Sequence, residues 1–434
     1  MIPNYVIPRK CATFPDERGF GDFDILFAMN ICFETFGCRL NRAETLDDEA
    51  KCLARGHRIV DSHSDADMIV VRGCSVTARA QRDCEHLIEH LKQKYPAKRV
   101  FITGCLANAK KLDISEPCSQ SDDMPRPKAK VPTRTSRAYL KIQDGCSCGC
   151  TFCIVPKFRG TPTSIPFTDV LDKAKRFIDA GYHEIVLTGC NLMLYSSEGH
   201  RLADLVASLA NLSPECRIRL GSVEPGAQAM ELVHAMAENG NICRFLHLSI
   251  QSGSDTLLKA MRRPYTAKEI DAIAGEATRL MPLIGLGCDL IAGFPDESET
   301  DFRLTKGLLV RHCFANVHAF PFSERPGTIA AALPGRILPD VRKRRARELA
   351  EMGAESRRKF AKRFIGRTVE VIVENGNPTS GWTGEYLWLE ASQAAGAFRY
   401  VTTTHESLRK MRIAFKARSA HAGILYGESV SGGR

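Results

Sequence analysis

The sequence predicts an α/β protein in three parts: an N-terminal parallel α/β domain, a partial (β/α)6 barrel and a small C-terminal β-barrel. The first two parts are predicted because buried-strand runs alternate with helical stretches up to about Ala109 and again from Ala138. The third part is predicted by short alternating apolar runs, separated by glycines, from Arg367 onward. The expected boundaries are a disordered extension over 1–28, domains over 29–112, 134–364 and 365–432, and a linker over 113–133.

Composition narrows the class of protein. Of the 434 residues, 44% are apolar and 25% are charged, which excludes collagen, wholesale disorder and a small disulfide-stapled scaffold. No run approaches the roughly 18 apolar residues of a membrane helix, and we see no secretory signal, so we expect a cytoplasmic protein without a membrane partner. The net charge of +10 suits a polyanionic partner, and the odd count of 17 cysteines favours reduced thiols and metal ligands.

In the N-terminal part, a strand pattern begins at Met29, where apolar and polar residues alternate. Two further buried-strand runs, at residues 68–71 and 100–103, flank a helical stretch over 79–94 whose apolar residues recur at helical spacing. This alternation of strands and helices predicts a parallel sheet.

A longer series of six strand–helix units follows, which predicts the partial barrel. Its predicted strands are residues 138–142, 184–187, 217–220, 245–250, 287–292 and 316–320, with helices such as 167–180 and 202–212 between them. Residues 340–364 indicate one long basic helix. The alternating Val369, Val371 and Val373, with the glycines and aromatic residues that follow, indicate the small β-barrel.

The most informative segment runs from Asp144 to Cys153 and holds four cysteines. Cys146, Cys150 and Cys153 have the spacing C-x3-C-x2-C, and three thiolates on one tight loop can bind three irons of a 4Fe–4S cluster. The fourth iron is then open to a substrate or cofactor. Zinc is the alternative because Cys148 adds a thiol, but a zinc site needs a second cysteine pair nearby, and the sequence has none.

Three more cysteines follow the strand patterns of the N-terminal part: Cys38, Cys74 and Cys105, each directly preceded by glycine. Because the carboxyl ends of parallel strands converge on one crevice, these three thiols are predicted to share a second cluster. Taken singly, each of them fits better as a small buried apolar residue, and it is the set of three, each after a glycine, that favours a metal.

The spacing of Cys146, Cys150 and Cys153, with the aromatic Phe152 before the last cysteine, resembles the signature of the radical S-adenosylmethionine enzymes. That resemblance implies that the methionine group of S-adenosylmethionine chelates the open iron and that Phe152 packs near the adenine. A three-cysteine domain before the radical domain and a β-barrel after it resemble, more narrowly, the methylthiotransferases, whose small C-terminal domain is a TRAM domain. The resemblance covers roughly residues 30–110 and 138–430 and implies two 4Fe–4S clusters.

Motifs at the ends of the predicted barrel strands add to the resemblance, because family segments in the same order lie at S-adenosylmethionine. The cofactor-binding residues that this resemblance implies are Phe152, Gly189, Asn191, Ser222, Glu224, Gln251, Asp289 and Gly293. Glycines and prolines end strands in any α/β fold, so it is the order of the motifs that is specific.

The sequence departs from the family pattern at three places. Arg72 and Gly73 stand before Cys74 where the family usually has Asn-Thr. Cys190 replaces an apolar residue or histidine, which predicts a thiol in the cofactor pocket. Only 41 positions separate Cys105 from Cys146, so we expect a trimmed N-terminal sheet.

Methylthiolation places CH3–S on an unreactive C–H bond, so the resemblance implies radical chemistry, and no catalytic acid or base is assigned. It implies that the cluster of Cys146, Cys150 and Cys153 makes a 5′-deoxyadenosyl radical and that the second cluster presents the sulfur. It further implies that two S-adenosylmethionine molecules are consumed per turnover, one as methyl donor and one as radical source. An electron donor such as flavodoxin or ferredoxin and a sulfur source are further expected partners.

Positive charge gathers on the long helix and on the C-terminal barrel. Predicted RNA contacts are Arg409, Lys410, Arg412, Lys416 and Arg418, because basic clusters bind phosphates, and we expect the anticodon arm of a tRNA as partner. Residues 33–41, 259–266 and 318–328 look closest to family members that modify threonylcarbamoyladenosine at position 37. The alternatives are isopentenyladenosine 37, an aspartate of a ribosomal protein, and a non-catalytic iron–sulfur RNA-binding protein.

Overall fold

The computed structural model describes residues 28–110, 135–374, 377–391 and 412–429. The predicted linker over 113–133 and all but the last residue of the predicted extension lie outside the described residues. Within the described ranges, no helix is both long enough and apolar enough to cross a lipid bilayer.

The N-terminal part is a parallel sheet with helices on both faces. Its elements are β1 (Asn30–Thr35), α1 (Arg39–Ala54), β2 (Arg58–Ile59), β3 (Met68–Gly73), α2 (Ala78–Lys94), β4 (Arg99–Gly104) and α3 (Cys105–Ala109). The strand order is β2-β1-β3-β4, so β4 is an edge strand of the described sheet. Ile69 of β3 packs with α2, whereas the adjacent Val70 packs on the opposite face, as alternation along a strand requires.

The middle part contains all the predicted barrel strands, with ends that differ from the prediction by one or two residues. Its elements are β5 (Ala138–Lys141), β6 (Gln143–Asp144), α4 (Val155–Arg159), β7 (Thr163–Ser164), α5 (Phe167–Asp179), β8 (Glu184–Thr188), β9 (Ser196–Ser197), β10 (His200–Arg201), α6 (Leu202–Leu212), β11 (Arg217–Arg219), β12 (Ser222–Val223), α7 (Ala227–Glu238), β13 (Phe245–Gln251), α8 (Asp255–Ala260), α9 (Ala267–Leu280), β14 (Gly285–Ala292), α10 (Glu299–Arg311), β15 (Phe314–Pro321) and α11 (Pro339–Lys362). The long helix predicted over 340–364 is therefore confirmed as α11.

Two parallel sheets, β11-β8-β5 and β12-β13-β14-β15, form the wall of the middle part. Only Leu220 and Gly221 separate β11 from β12, so these short strands continue one another. The wall is thus an open barrel whose strands follow chain order, which confirms the predicted partial (β/α)6 barrel. Helix α1 of the N-terminal part packs along β5 at one edge of the opening.

Side chains of β13 show which residues face the inside of this barrel. Leu246, Leu248 and Ile250 pack in the core between the barrel and its outer helices. The alternate residues His247 and Gln251 therefore face the interior, which we call the lumen. The carboxyl ends of the strands surround its mouth, where active sites of such barrels lie.

The C-terminal part is a closed five-stranded barrel, which confirms the predicted small β-barrel. Its strands are β16 (Thr368–Glu374), β17 (Asn377–Thr383), β18 (Trp388–Ala391), β19 (Arg412–His421) and β20 (Ile424–Ser429), in the closed order β16-β17-β18-β20-β19. Alternate residues such as Val371, Phe415 and Leu425 fill its interior. Phe360, near the end of α11, and Phe364, just after it, pack against them.

A buried ion network holds the C-terminal barrel to the amino ends of the partial barrel. Glu184 of β8 is fully buried and accepts hydrogen bonds of 2.6–3.1 Å from Arg217 and Arg219 of β11. Both arginines also donate to backbone carbonyl groups of β17 and the turn after it. In that turn, Tyr386 stacks on Phe245 with ring centroids 4.5 Å apart. Because Phe245 begins β13, the turn forms the floor of the lumen.

Candidate cluster and cofactor sites

The three N-terminal cysteines lie together at the carboxyl ends of the strands of their sheet. Cys38 precedes α1, Cys74 follows β3 and Cys105 begins α3, and the strands before them are neighbours. Burial is the main reason why the pKa of Cys74 rises to about 11, and the nearby thiols of Cys105 and Cys38 add to the rise. Three thiolates this close together would repel one another. The thiols are therefore stable either when they keep their protons or when they share a bound cation.

The close approach of Cys38 and Cys74 depends on Gly37. This glycine has a φ of +92°, and a Cβ there would lie 2.6 Å from the Cβ of Cys74. Any side chain at this position would therefore push the two cysteines apart. Cys84 of α2 supports the other side, because its Sγ accepts a hydrogen bond from the backbone N–H of Cys74 at 3.3 Å.

The loop with four cysteines after β6 is fixed on several sides. Gly145 has a φ of +68°, and a Cβ there would lie 2.0 Å from the carbonyl oxygen of Thr161. The N–H of Cys146 donates to the carbonyl of Gly160 at 3.1 Å. Farther along, the N–H of Thr151 donates at 3.2 Å to the carbonyl of the residue that follows α8. These contacts hold the cysteines at the mouth of the lumen.

Cys146, Cys150 and Cys153 are half-buried, and their charges influence one another. A hydrogen bond with Cys148 is the main reason why the pKa of Cys146 falls to about 6. Burial raises the pKa of Cys153 to about 11 and raises that of Cys150 as well. Because thiolates and not thiols bind iron, this set must release protons when a cluster binds.

A polar pocket of Asn191, Glu224 and Arg263 lies beside this loop. Nη2 of Arg263 contacts the carboxylate of Glu224 at 2.7 Å, and Nη1 donates to Sγ of Cys150 at 2.8 Å. Nδ2 of Asn191 donates to Glu224 at 2.5 Å and to Sγ of Cys148 at 3.2 Å. The structure thus brings two predicted cofactor residues, Asn191 and Glu224, to the cysteine loop.

Four other predicted cofactor residues lie around the mouth of the lumen and have fewer polar contacts than Asn191 and Glu224. Gly189 packs so closely on the side chain of Gln143 that a Cβ would lie 2.9 Å from its Oε1. Ser222 is exposed on β12, and Gln251 ends β13 with a φ of +69°. Phe152 packs against a small apolar cluster beside α8.

The last two predicted cofactor residues have partners within the protein. The N–H of Gly293 donates to the carboxylate of Glu297 at 2.7 Å. Asp289 lies between two histidines, with one oxygen 3.1 Å from Nε2 of His247 and the other 3.1 Å from Nδ1 of His318. Burial raises the pKa of Asp289, but hydrogen bonds with these histidines outweigh burial and hold it well below its ordinary value. Asp289 therefore orients two imidazole rings on the lumen wall, which the sequence analysis did not predict.

Arg159, at the end of α4, connects the two sets of cysteines. Its Nε donates to Sγ of Cys105 at 3.3 Å, and its Nη1 lies 3.1 Å from the carboxylate of Asp144, two residues before Cys146. Nη1 also donates to Glu44 of α1 at 2.7 Å. Burial lowers the pKa of Arg159, but these carboxylates outweigh it and raise the pKa, so the cation is retained. Arg159 thus links a thiol of the N-terminal set to the segment that leads into the loop of Cys146.

Sequence reasoning missed Arg159, Glu44 and Arg263, because contacts between distant segments define them: Arg159 and Glu44 are 115 residues apart, and Arg263 and Cys150 are 113 residues apart. Arg263 belongs to the motif at 259–266, which was its only local signal. Nothing in the local pattern around Glu44 distinguishes it from an ordinary helix-surface glutamate.

Two of the predicted RNA contacts, Arg409 and Lys410, lie outside the described residues. Arg412, a third predicted RNA contact, has partners within the protein, because it contacts Glu370 at 3.4 Å and Glu215 of the middle part at 3.5 Å. It also donates to the backbone carbonyl of Glu215 at 2.9 Å. Arg412 therefore joins the two barrels.

The other two predicted RNA contacts lie on β19. Lys416 is exposed, whereas Arg418 forms an ion pair with Glu428 of β20 at 2.9 Å. Such exposed pairs are weak, so Arg418 can exchange this partner for a phosphate.

Comparison with known proteins agrees with this geometry. The family model described as the Radical SAM superfamily matches residues 140–309, and the one described as Uncharacterized protein family UPF0004 matches residues 30–123. The chain is 30% identical over 384 residues to threonylcarbamoyladenosine tRNA methylthiotransferase MtaB of Aquifex aeolicus, covering 80% of this chain and 94% of that protein. It is 29% identical over 385 residues to tRNA-2-methylthio-N(6)-dimethylallyladenosine synthase of Syntrophotalea carbinolica, covering 79% and 88% respectively.

Among solved structures, the radical S-adenosylmethionine methyltransferase TsrM of Kitasatospora setae superimposes with a TM-score of 0.51. The match covers 70% of this chain and 75% of that chain at 12% identity. An identity this low shows a shared fold alone.

Fold and sites together define a radical S-adenosylmethionine enzyme with a second cysteine site in its N-terminal domain. The chain belongs to the radical S-adenosylmethionine tRNA methylthiotransferases, as the match to nearly the full length of the Aquifex aeolicus enzyme shows. It therefore transfers a methylthio group, and the non-catalytic alternative is wrong. Its cofactors are two 4Fe–4S clusters and S-adenosylmethionine. The donor sets fit these clusters, because each set offers three converging thiols, and iron is accordingly favoured over zinc.

Proposed function

We propose that this enzyme adds a methylthio group to C2 of N6-threonylcarbamoyladenosine at position 37 of tRNA. The observation that carries the chemistry is the contact of Arg159 with both Cys105 and Asp144, which keeps the two cysteine sets at one mouth. Reagents held at both sets can then reach the same carbon atom. The named activity of the Aquifex aeolicus relative supports this nucleoside, as does the motif resemblance at residues 33–41, 259–266 and 318–328.

The two cysteine sets have different chemical roles in this proposal. When bound at the cluster of Cys146, Cys150 and Cys153, one S-adenosylmethionine would supply a 5′-deoxyadenosyl radical for hydrogen abstraction, while a second would supply the methyl group and the N-terminal cluster the sulfur. The ligands are Cys146, Cys150 and Cys153 for the first cluster and Cys38, Cys74 and Cys105 for the second. Cys148 is not a ligand in this assignment.

The chain's own residues hold and orient the cofactor. Glu224 and Asn191 offer a carboxylate and an amide beside the loop, which suit the amino group of the methionine part. Arg263 orients Glu224 through the ion pair between them. The wider cofactor site consists of Phe152, Gly189, Ser222, Gln251, Asp289 and Gly293.

The target base leaves its stack in the anticodon loop and enters the lumen, since its C2 atom cannot be reached inside the stack. His247 and His318, oriented by Asp289, line its path with ring nitrogens. The C-terminal barrel, a TRAM-like domain in this proposal, binds phosphates of the anticodon arm through Lys416 and its basic neighbours in the chain.

Two further partners follow from the chemistry. Cleavage of S-adenosylmethionine requires an electron from a donor such as flavodoxin or ferredoxin, and each turnover removes one sulfur that a sulfur source must replace. Because the substrate is tRNA, we place the enzyme in the cytoplasm.

Nucleoside mass spectrometry of tRNA from a strain that lacks this gene tests the proposal. We expect 2-methylthio-N6-threonylcarbamoyladenosine to disappear, its unmethylthiolated precursor to accumulate, and wild-type complementation to restore it. A variant with alanine at Cys38, Cys74 and Cys105 should not restore it. Loss of the methylthio group from dimethylallyladenosine instead would transfer the assignment to that nucleoside, and unchanged tRNA would favour a protein substrate.

A further inference from the structure

Arg39 reaches into the lumen from the N-terminal part. It directly follows Cys38, and its Nη2 donates a hydrogen bond to the hydroxyl of Tyr386 at 3.0 Å. Its guanidinium carbon lies 5.4 Å from the centroid of the Tyr386 ring. Since Tyr386 belongs to the lumen floor, Arg39 places a positive charge between that floor and a cysteine of the N-terminal set.

Arg39 differs from Arg159, Arg219 and Arg263 because it has no anionic partner in the described part of the chain. Arg159, Arg219 and Arg263 each contact a glutamate carboxylate at 2.7 Å. Across the described ranges, Arg39 contacts the hydroxyl and ring of Tyr386, and no carboxylate lies within ion-pair distance of it. The positive charge of its guanidinium group is therefore available to bind an anionic ligand.

The chemistry of a guanidinium indicates what kind of ligand this is. A half-buried cation has lost part of its hydration, and binding an anion compensates that loss. Arginine carries five N–H donors in a planar fork that matches a carboxylate, and the contact with Tyr386 uses only one of the two Nη atoms.

We infer that Arg39 binds the carboxylate of the N6 substituent on the target adenosine and thereby selects that nucleoside. The inference rests on the proposed function, in which the substituent is threonylcarbamoyl, a group that carries a carboxylate. A dimethylallyl group is apolar and would leave Arg39 without a counter-ion, which disfavours that substrate. The same contact would hold the nucleoside next to Cys38, on the side from which sulfur is delivered.

Tyr386 is a positioning residue for Arg39. Its ring is held between Phe245 and Trp382, with centroid distances of 4.5 and 4.6 Å. Its hydroxyl therefore sits at a fixed place and orients the guanidinium before the substrate arrives. In this way the C-terminal barrel contributes to nucleoside selection through its contact with the N-terminal part.

The test measures RNA affinity and turnover with two anticodon stem-loops, one carrying threonylcarbamoyladenosine at position 37 and one carrying adenosine. Anaerobically reconstituted enzyme is compared with R39Q, R39K and Y386F. We expect R39Q to bind the threonylcarbamoyl RNA about tenfold to a hundredfold more weakly, as expected for loss of a hydrogen bond to a charged group, and the adenosine RNA as before. R39K should keep most of the affinity, and Y386F should lose less than R39Q.

Arg42 provides the matched control, because it lies on the same helix, is exposed and contacts Tyr139 instead of Tyr386. R42Q should not change the ratio between the two RNAs. Equal losses on both RNAs in R39Q would mean that Arg39 binds a backbone phosphate, and an unchanged ratio overturns the inference. Iron content confirms that each variant is loaded. Failure of the proposed function is distinct, since wild-type enzyme would then form no methylthio product from the threonylcarbamoyl RNA.

Discussion

Arg159 donates a hydrogen bond from Nε to Sγ of Cys105 over 3.3 Å, although 54 residues separate the two in the chain. The same guanidinium reaches Asp144, which lies next to Gly145 and two residues before Cys146. A single positive charge thus lies between a thiol of the N-terminal set and the segment that leads into the loop of Cys146, Cys150 and Cys153. It offsets negative charge that both thiol sets gain when they lose protons to bind iron.

Replacing Arg159 by glutamine should make the reduction potential of the N-terminal cluster more negative by about 60 mV. Hydrogen bonds to ligand sulfurs stabilise the reduced state, and this shift corresponds to about 1.4 kcal/mol for one electron. Redox titration by EPR measures it in protein whose Cys146, Cys150 and Cys153 are alanine, so that only the N-terminal cluster remains.

Lys141 supplies the control for this measurement. It contacts the same two carboxylates as Arg159, Glu44 at 2.7 Å and Asp144 at 2.5 Å, but no thiol among the residues that the structure describes. Lys141→Gln should leave the potential nearly unchanged. Equal shifts in both variants would mean that net charge, and not the hydrogen bond to Cys105, sets the potential.

Iron stoichiometry tests the assignment of the six ligands. Reconstituted wild-type protein should carry about eight irons, and alanine at Cys146, Cys150 and Cys153 should leave about four. Alanine at the other three cysteines should also leave about four. Zinc in place of iron, or full iron content in either triple variant, would contradict two separate clusters.

Cys148 lies in the loop but outside the ligand spacing, and its thiol is engaged with Glu224 at 3.3 Å and with Asn191 at 3.2 Å. We therefore predict that Cys148→Ser keeps both the iron content and the cleavage of S-adenosylmethionine. Cys150→Ser is the matched comparison and should lose about four irons, since that position is a predicted ligand. Loss of iron in the Cys148 variant would shift the ligand register of the loop.

Glu184 makes the contact between the two barrels sensitive to pH. Burial raises its pKa, but the charges of Arg219 and Arg217 outweigh burial and hold the pKa well below its ordinary value of about 4.3. A carboxylate with a depressed pKa stabilises the fold fully above the ordinary pKa and loses that contribution as the pH falls below it. The melting temperature of the wild type should therefore fall steeply between about pH 5 and pH 3.

Glu184→Gln should lower the free energy of unfolding near neutral pH by about 3–5 kcal/mol, because two buried arginines lose their counter-ion. Its melting temperature should also fall less steeply in acid than that of the wild type. Glu276→Gln is the control, since Glu276 pairs with Arg279 on the surface and should contribute little. Parallel pH curves for wild type and Glu184→Gln would show that another group causes the acid sensitivity.

Much of the fold could be predicted because apolar residues recur with one short period along strands and with another along helices. The six predicted ligand cysteines also have local signals in the sequence. Strand-end glycines precede Cys38, Cys74 and Cys105, and the other three cysteines share one loop. Local periods do not encode which distant side chains pair. The contact of Tyr386 with Arg39 spans 347 residues and exists only once the C-terminal barrel closes the lumen floor.

The same limit explains why the partners of Arg412 could not be predicted. In the sequence it belongs to a basic run, and such a run usually faces solvent or nucleic acid. In the structure its partner Glu215 comes from the connection between α6 and β11, 197 residues earlier. The sequence gives no local signal for this contact between the two barrels.

The last prediction concerns RNA binding by the C-terminal barrel. Reversing the charges of Arg409, Lys410 and Lys416 together should weaken tRNA binding and flatten its dependence on salt, by about one unit of slope for each phosphate that the barrel no longer neutralises. Cleavage of S-adenosylmethionine without tRNA should be unaffected, because that chemistry depends on the loop of Cys146. The measurements are tRNA affinity across a salt series and the yield of 5′-deoxyadenosine.

Arg412→Gln separates this effect from damage to the fold. Because Arg412 contacts Glu215 and Glu370, this variant should lower the melting temperature while the salt slope of tRNA binding stays close to that of the wild type. The triple reversal should show the opposite pattern, with a flattened slope and an almost unchanged melting temperature. If the reversal changes neither affinity nor slope, the C-terminal barrel does not bind the tRNA, and a protein substrate becomes the better explanation for the enzyme's specificity.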